Sequence, residues 1–242
     1  MIRCLAEHFP IRAMDLRQPE EGAWESMAGD VTKLDDAMTL CAGCSDLVIA
    51  HMAPNRPEIY GTPEIPFDVN VKGAANLFHA AACNSLHRVV LISSTGAIAW
   101  YVKEDMFLTR DMPGHPNSMY GLTKQLQEKI AEYFHLQTGI GVAVLRPAHI
   151  CDEDTLIDKY DKRLTHTNWV MIDPRDIAEA VRLSLVAPKL DYEVFYVLGH
   201  PDSETRADVR YTRNFLGWRP RHTFEKYSGD RRPTVEREPS AT

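Results

Sequence analysis

Tyr120 and Lys124 stand four residues apart in NSMYGLTKQLQEKI (117–130), a stretch with helical spacing, and Ser94 ends the apolar run RVVLISS (88–94) upstream of it. Positions i and i+4 share one helix face, so the spacing sets an ammonium beside a phenol. A free tyrosine titrates near pH ~10 and is protonated at neutral pH. A cation close by favours the phenolate and lowers such a pKa by about one to three units, which brings it into the range of a working base for a hydroxyl proton. The pair alone carries little weight, because a Tyr and a Lys one turn apart are also an ordinary helix-surface combination. Position adds the weight: the pair opens a helix that starts 120 − 94 = 26 residues after a strand ending in serines.

The elements that must position these groups alternate along the chain. Short β-rich runs, IRAMDL (11–16), DLVIAHM (46–52), RVVLISS (88–94), VAVLRPA (142–148) and VFYVLG (194–199), are separated by helical spacing at roughly 33–42, 68–83, 118–137, 174–186 and 208–216. Strand–helix alternation demands crossovers and a parallel sheet, and the apolar, non-alternating character of RVVLISS and VAVLRPA fits strands covered on both faces. The fold class expected is α/β, a Rossmann-like doubly wound parallel sheet. Ligands of such sheets bind at the carboxyl ends of the strands. Those ends carry Asp15, Ser93-Ser94-Thr95, Ala53-Pro54 and His149.

With 242 residues, 44% of them hydrophobic and 25% charged, the chain is long enough for one sizeable core. We expect a dinucleotide-binding part over 1–150, a small substrate-binding region over 151–230 that completes the same fold, and a disordered polar tail over 231–242. A formal charge of −7 argues against a nucleic-acid partner. No apolar run approaches the ~20 residues of a membrane helix, no signal-peptide layout opens the chain, and we read a cytoplasmic protein with no membrane partner. Its five cysteines are scattered and odd in number; Cys41-Ala-Gly-Cys44 has no second pair, so reduced structural thiols are expected and no metal site.

The layout of Ser94, Tyr120 and Lys124 resembles the short-chain dehydrogenase/reductase superfamily, in its extended branch of NAD-dependent epimerases and dehydratases. Further stretches agree in order and spacing. GDVTKLDDAM (29–38) looks like that branch's Gly-Asp-Val segment, VIAHMAP like the end of its fourth strand, and FDVNVKGAANLFHAA (67–81) like its Asn-Val-x-Gly helix. VAVLRPA, IDPRDIAEAVRLSL (172–185) and FLGWRPR (215–221) resemble its later strand, helix and turn, so the likeness covers nearly the whole chain. The resemblance implies Ser94, Tyr120 and Lys124 as catalytic residues in hydride transfer from a carbinol to a nicotinamide, with Ser94 holding the substrate oxygen. It implies Asp15, Leu16, Asp30, Val31, Met52, Ala53, Asn70, Tyr120 and Lys124 as cofactor-binding residues, with Lys124 on the nicotinamide ribose and Asp30 on the adenine. It also implies a homodimer paired through the helices that hold Asn70 and Tyr120. A carboxylate at position 15 can accept hydrogen bonds from a ribose diol and repels a 2′-phosphate, which favours NAD over NADP; the plain alternative is a turn acid.

One part of the pattern is missing. The resembled branch places a strand and a glycine-rich turn before the helix that here reads MIRCLAEHF (1–9), and neither occurs in this sequence. Loss of that strand would hollow the middle of the sheet, leaving IRAMDL and DLVIAHM without a partner between them, and loss of the turn removes the amides that cradle a pyrophosphate. Two explanations stand: a start roughly 15–20 residues late, about one strand and a turn, or a degenerate member serving as a dinucleotide sensor or scaffold. Retention of Ser94, Tyr120 and Lys124 favours the first.

Only residues 149–171 separate VAVLRPA from IDPRDIAEA, which is short for an enzyme acting on a sugar nucleotide. With SSTGAIAWY (93–101) and Trp169, the chain is similar in layout to uronate dehydrogenases, which oxidise a hexuronic acid at C1. That likeness implies a small-molecule sugar or sugar-acid substrate, Arg163 as the grip on its carboxylate and Thr95 beside it. A departure is that Thr95-Gly96 stands where those enzymes have Asn-His. An ordinary surface arginine is the alternative for Arg163, and a sugar-nucleotide epimerase or dehydratase is the alternative activity.

Overall fold

The computed structural model describes residues 1–19, 22–54 and 56–227; the expected tail, 231–242, lies outside them. In chain order the elements are α1 (Ile2–Ala6), β1 (Arg12–Asp15), β2 (Glu25–Ala28), α2 (Leu34–Cys41), β3 (Asp46–Ile49), and the single turns α3 (Pro57–Tyr60) and α4 (Glu64–Pro66). A π-helical turn, Phe67–Lys72, then runs into α5 (Gly73–Cys83), followed by β4 (Arg88–Ile92), a 3-10 turn Thr95–Ile98, α6 (Ala99–Lys103) and α7 (Met119–Thr138). The chain continues through β5 (Gly141–Pro147), β6 (His149–Ile150), β7 (Met171–Ile172), α8 (Pro174–Val186), β8 (Tyr192–Val197) and α9 (Val209–Leu216).

The main sheet has the order β3-β4-β5-β8 and is parallel throughout, with Ile49 opposite Leu91, Ile92 opposite Leu145 and Pro147 opposite Val197. Successive side chains of β4 and β5 feed opposite layers. Val89, Leu91, Val142 and Val144 pack with Leu40, Leu77, Phe78 and Ala131 of α2, α5 and α7. Val90, Ala143 and Leu145 pack with Leu5, Ile177, Val181 and Trp218 on the other face, the side of α1 and α8. All seven residues of β5 are buried, as expected for a strand covered twice. This is the Rossmann-like α/β architecture with helices on both faces.

β1 and β2 form a separate parallel pair, Arg12 opposite Glu25 and Asp15 opposite Ala28. Among the described residues β1 pairs with no strand but β2, and β3 with none but β4, so each presents one unpaired edge. Between them lies a cavity of about 800 Å³, lined by Arg12 to Asp15 on one side, Leu47 to His51 on the other, and Leu5, Phe9 and Leu40 above and below. The hollow in mid-sheet expected from the missing first strand is therefore present. Two side-chain atoms around it, Trp24 Nε1 and His51 Nδ1, are buried without a hydrogen-bond partner among the described residues.

Most element ends carry their own stop and start signals. Ser118 caps α7 by accepting from Gly121 N at 3.1 Å, and Gly139, at φ 71°, closes its far end in the left-handed conformation that only glycine adopts cheaply. Asp173 caps α8 and Asp208 caps α9. The single helix expected over 68–83 divides into the π turn and α5, and β2 is added to the strands read from sequence. All five cysteines are free, and Cys41 is buried at the end of α2.

Candidate active site

Ser94 follows β4 with extended backbone, and its Oγ accepts from Gly96 N at 3.0 Å, turning the chain into Thr95–Ile98. The first turn of α7 comes down on this corner. A side chain on Gly121 would collide with the Gly96 carbonyl oxygen, and a Cβ on Gly96 would stand 3.3 Å from the Tyr120 ring. Two glycines thus let helix and corner touch, and that approach sets the Ser94 hydroxyl and the Tyr120 ring side by side over Gly96. Thr95 is buried in the same corner.

Burial pushes the Tyr120 phenol up to about 12, against the lowering effect of the Ser94 hydrogen bond; Tyr160 and Tyr60 add to the rise. Lys124 is buried directly beneath, only 2% exposed, and its Nζ donates to the Ile92 carbonyl at 2.8 Å. Burial brings its ammonium down to about 7, helped by the nearby charge of Lys159 and opposed by Glu128. The sequence reading put the Lys124 charge on the Tyr120 hydroxyl; here it is spent on the end of β4, and two of its three N–H donors have no partner among the described residues.

Asn70 ties the site together from the π turn, a helix irregularity that recurs at functional sites. Its Oδ1 accepts from Ala53 N at 2.6 Å, and its Nδ2 donates to Thr123 Oγ1 at 2.9 Å and to the Tyr60 hydroxyl at 3.2 Å. Thr123 Oγ1 donates in turn to the Tyr120 carbonyl, and Gln127 Nε2 to the Asn70 carbonyl. Ala53 is fully buried at the mouth after β3. Tyr60 meets the Tyr120 ring edge-on at 5.8 Å. One layer deeper, Glu128 takes a two-pronged pair from Arg146, at 2.9 and 2.8 Å, and a hydrogen bond from Ser93 at 2.6 Å, locking α7 to β4 and β5.

The other expected residues divide. Asp15 and Val31 line the mid-sheet cavity together with His51, whose Nε2 donates to the Val69 carbonyl at 2.9 Å. Val31 also packs on α5, where a Cβ on Gly73 would approach it to 2.7 Å. Asp30 is nearby, but its Oδ1 is occupied by Thr32 N and Thr32 Oγ1 at 2.9 and 2.8 Å. Leu16 points outward, 70% exposed, and Met52 is half-buried just before Ala53.

Arg163 is exposed and pairs through its backbone with Ile157, with no hydrogen bond or ring contact to Ser94 or Tyr120 among the described residues. The cation that the fold brings to the tyrosine is Lys159, its Nζ 5.7 Å from the Tyr120 ring centre. Lys159, Tyr60 and the Glu128–Arg146 pair escaped the sequence reading. Lys159 sits in a loop without periodicity, and Tyr60 reaches the site through a single helical turn that no pattern marks.

The chain also has relatives. Residues 4–168 match the NAD dependent epimerase/dehydratase family. The chain is similar to L-arabinose 1-dehydrogenase (NAD(P)(+)) of Haloferax volcanii, 23% identical over 77% of this chain and 78% of that protein. It is similar to the uronate dehydrogenase of Agrobacterium fabrum, 25% identical over 84% of this chain and 71% of that protein. Among solved structures, uronate dehydrogenase from Agrobacterium tumefaciens superposes with a TM-score of 0.73 at 22% identity, covering 100% of this chain and 85% of that one. A short-chain dehydrogenase/reductase superfamily protein from the same species, solved with bound NAD, gives 0.78 at 19% identity, covering 93% and 90%. Sequence motifs, fold and relatives agree, and the chain belongs to the NAD dependent epimerase/dehydratase family.

Proposed function

We propose that this protein is an NAD-dependent oxidoreductase that takes a proton and a hydride from a sugar or sugar acid, with a hexuronic acid oxidised at C1 as the specific reading. The observation that carries it is the meeting of Ser94 and Tyr120 over Gly96, above a buried Lys124. The names of the relatives, an arabinose dehydrogenase and uronate dehydrogenases, point to the substrate class.

Two unsatisfied groups support a dinucleotide here. Lys124 has N–H donors to spare in a buried site, which a ribose diol would take. His51 Nδ1, left as an acceptor because Nε2 faces a carbonyl, is buried and unpartnered at the cavity wall. Tyr120 and Lys124 would hold the nicotinamide ribose, Met52 and Ala53 the middle of the molecule, and Asp15, Leu16, Asp30 and Val31 the adenosine end. Among the described residues no glycine-rich turn cradles the pyrophosphate. NAD supplies the hydride acceptor. The chain's own residues do the rest: Ser94 donates to the substrate oxygen, Tyr120 takes the hydroxyl proton, and Lys124 lends its charge once ribose oxygens replace part of its lost hydration.

A second reading, a dinucleotide-binding protein without turnover, is favoured by the Tyr120 phenol, which burial pushes up to about 12. A substrate panel separates the two: NADH formation followed with glucuronate, galacturonate, the parent neutral sugars and UDP-sugars. The proposal expects reduction of NAD with the uronates. Turnover of a UDP-sugar alone would replace it with an epimerase/dehydratase activity, and NAD binding without turnover of any sugar would favour the non-catalytic reading.

A further inference from the structure

The loop between β6 and β7 is built around a buried carboxylate. Asp158, 6% exposed, accepts from Tyr160 N at 2.9 Å and Lys162 N at 3.0 Å through Oδ1, and pairs through Oδ2 with His149 Nε2 at 3.0 Å. Lys159 N donates to the Ile150 carbonyl at 3.2 Å. These bonds hold a tight turn against β6 and fix the backbone from which the Lys159 side chain departs. Its ammonium lies 5.1 Å from the Tyr160 ring centre and 5.7 Å from that of Tyr120.

Among the described residues Lys159, like Lys162 and Arg163 in the same loop, has no carboxylate partner, but of these three it is the one whose ammonium stands against the Tyr120 ring. Arg146 is spent on Glu128, Arg175 on Asp173 and Asp154, and Lys226 on Asp154 and Glu153. The nearest acid along the loop, Asp158, is already committed to His149 and two amides, so the turn that places Lys159 also leaves its charge unneutralised. A fixed, unpaired ammonium against the ring of the tyrosine that would take the proton is matched by an anion on the bound molecule, a short distance from the oxygen that Tyr120 and Ser94 hold.

We infer that Lys159 is the specificity-determining residue of this site, the cation that receives the carboxylate of a sugar acid beside Tyr120, and that Arg163 is not. The inference rests on the oxidoreductase reading of the same site and assigns its substrate a charge. A neutral sugar leaves the ammonium without a partner, whereas a hexuronic acid supplies one within the reach of a pyranose ring. Because Lys159 is exposed, its replacement should leave the fold intact.

The test needs no turnover. Binding of galacturonate and of galactose to the full chain, with NAD present, is compared by ligand-observed NMR for the wild type, Lys159→Met, Lys159→Arg and Arg163→Met, with thermal melting as the check on folding. The expected result is a wild-type preference for the acid of about 10-fold or more, the range of a hydrogen bond to a charged group. That preference should be abolished in Lys159→Met, retained in Lys159→Arg and unaffected in Arg163→Met. Retention of the preference in Lys159→Met, or its loss in Arg163→Met, overturns the assignment to Lys159 while leaving the sugar-acid reading standing. A wild type that binds both sugars equally, or neither, removes the sugar-acid reading itself and the role of Lys159 with it.

Discussion

Tyr120 and Lys124 show how spacing and burial contribute separately. The four-residue interval was readable and correctly put both groups on one helix face, but it could not show that the lysine is driven into the interior and bonded to Ile92. Burial decides the chemistry of both: the phenol is pushed up to about 12 and the ammonium down to about 7. The lysine shift has a consequence for stability. An unfolded lysine keeps its proton to about pH 10.4, so the folded state binds fewer protons between pH 7 and 10.4, and stability rises across that window. The cost of the buried charge is complete below pH 7 and fades as the pH climbs. Lys124→Met should therefore stabilise the fold at pH 6 by about 1–3 kcal/mol, with the gain shrinking toward pH 10. Urea unfolding at the two pH values reads this directly, and a gain that grew with pH would show the charge to be compensated inside the protein. Arg163 illustrates the opposite limit, since the position of a residue in a loop follows from the loop's own hydrogen bonds, which here set the Lys159 ammonium against the Tyr120 ring.

At the scale of elements, the apolar periodicity that marked β3, β4, β5, β8 and the helices α2, α5, α7, α8 and α9 predicted their order and nearly their ends, because each buries a regular stripe or face. β2 has no such stripe. Its residues Glu25, Ser26, Met27 and Ala28 lie half-buried or exposed, so its pairing comes from register with β1 and leaves little trace in the sequence. The π turn is equally silent, as a single extra residue per turn does not alter composition. The junction most important to the site is the contact of α7 with the corner after β4, where Gly121 faces the Gly96 carbonyl. Alanine is the better helix former by about 1 kcal/mol, so on propensity alone Gly121→Ala should stabilise α7. The collision with backbone reverses that sign. We expect a loss of about 1–3 kcal/mol, as for other overpacked sites, together with separation of Tyr120 from Ser94. A variant as stable as the wild type in urea would mean that α7 can move away from the corner at no cost.

On the scale of the whole molecule, the sheet is interrupted where a doubly wound fold is usually most regular. The cavity between β1 and β3 and the two strand edges left unpaired among the described residues occur together, because an extended strand between them would fill the one and pair the other. The gap was expected between IRAMDL and DLVIAHM, whereas its walls, which join Asp15 to His51 and Val31, required the fold. The corner proposed for catalysis stands on the other side of β3, held by Asn70 and by the Glu128–Arg146 pair. The central claim is that this corner carries out proton abstraction by Tyr120 during oxidation of a sugar acid by NAD. Tyr120→Phe tests it most directly, since it removes one hydroxyl and keeps the ring that packs on Tyr60 and Gly96. Steady-state NADH formation with a uronate, measured for wild type and Tyr120→Phe, should show kcat lowered by about 10² or more, the size of a general-base contribution, with NAD affinity nearly unchanged. Equal turnover by the two proteins would contradict it.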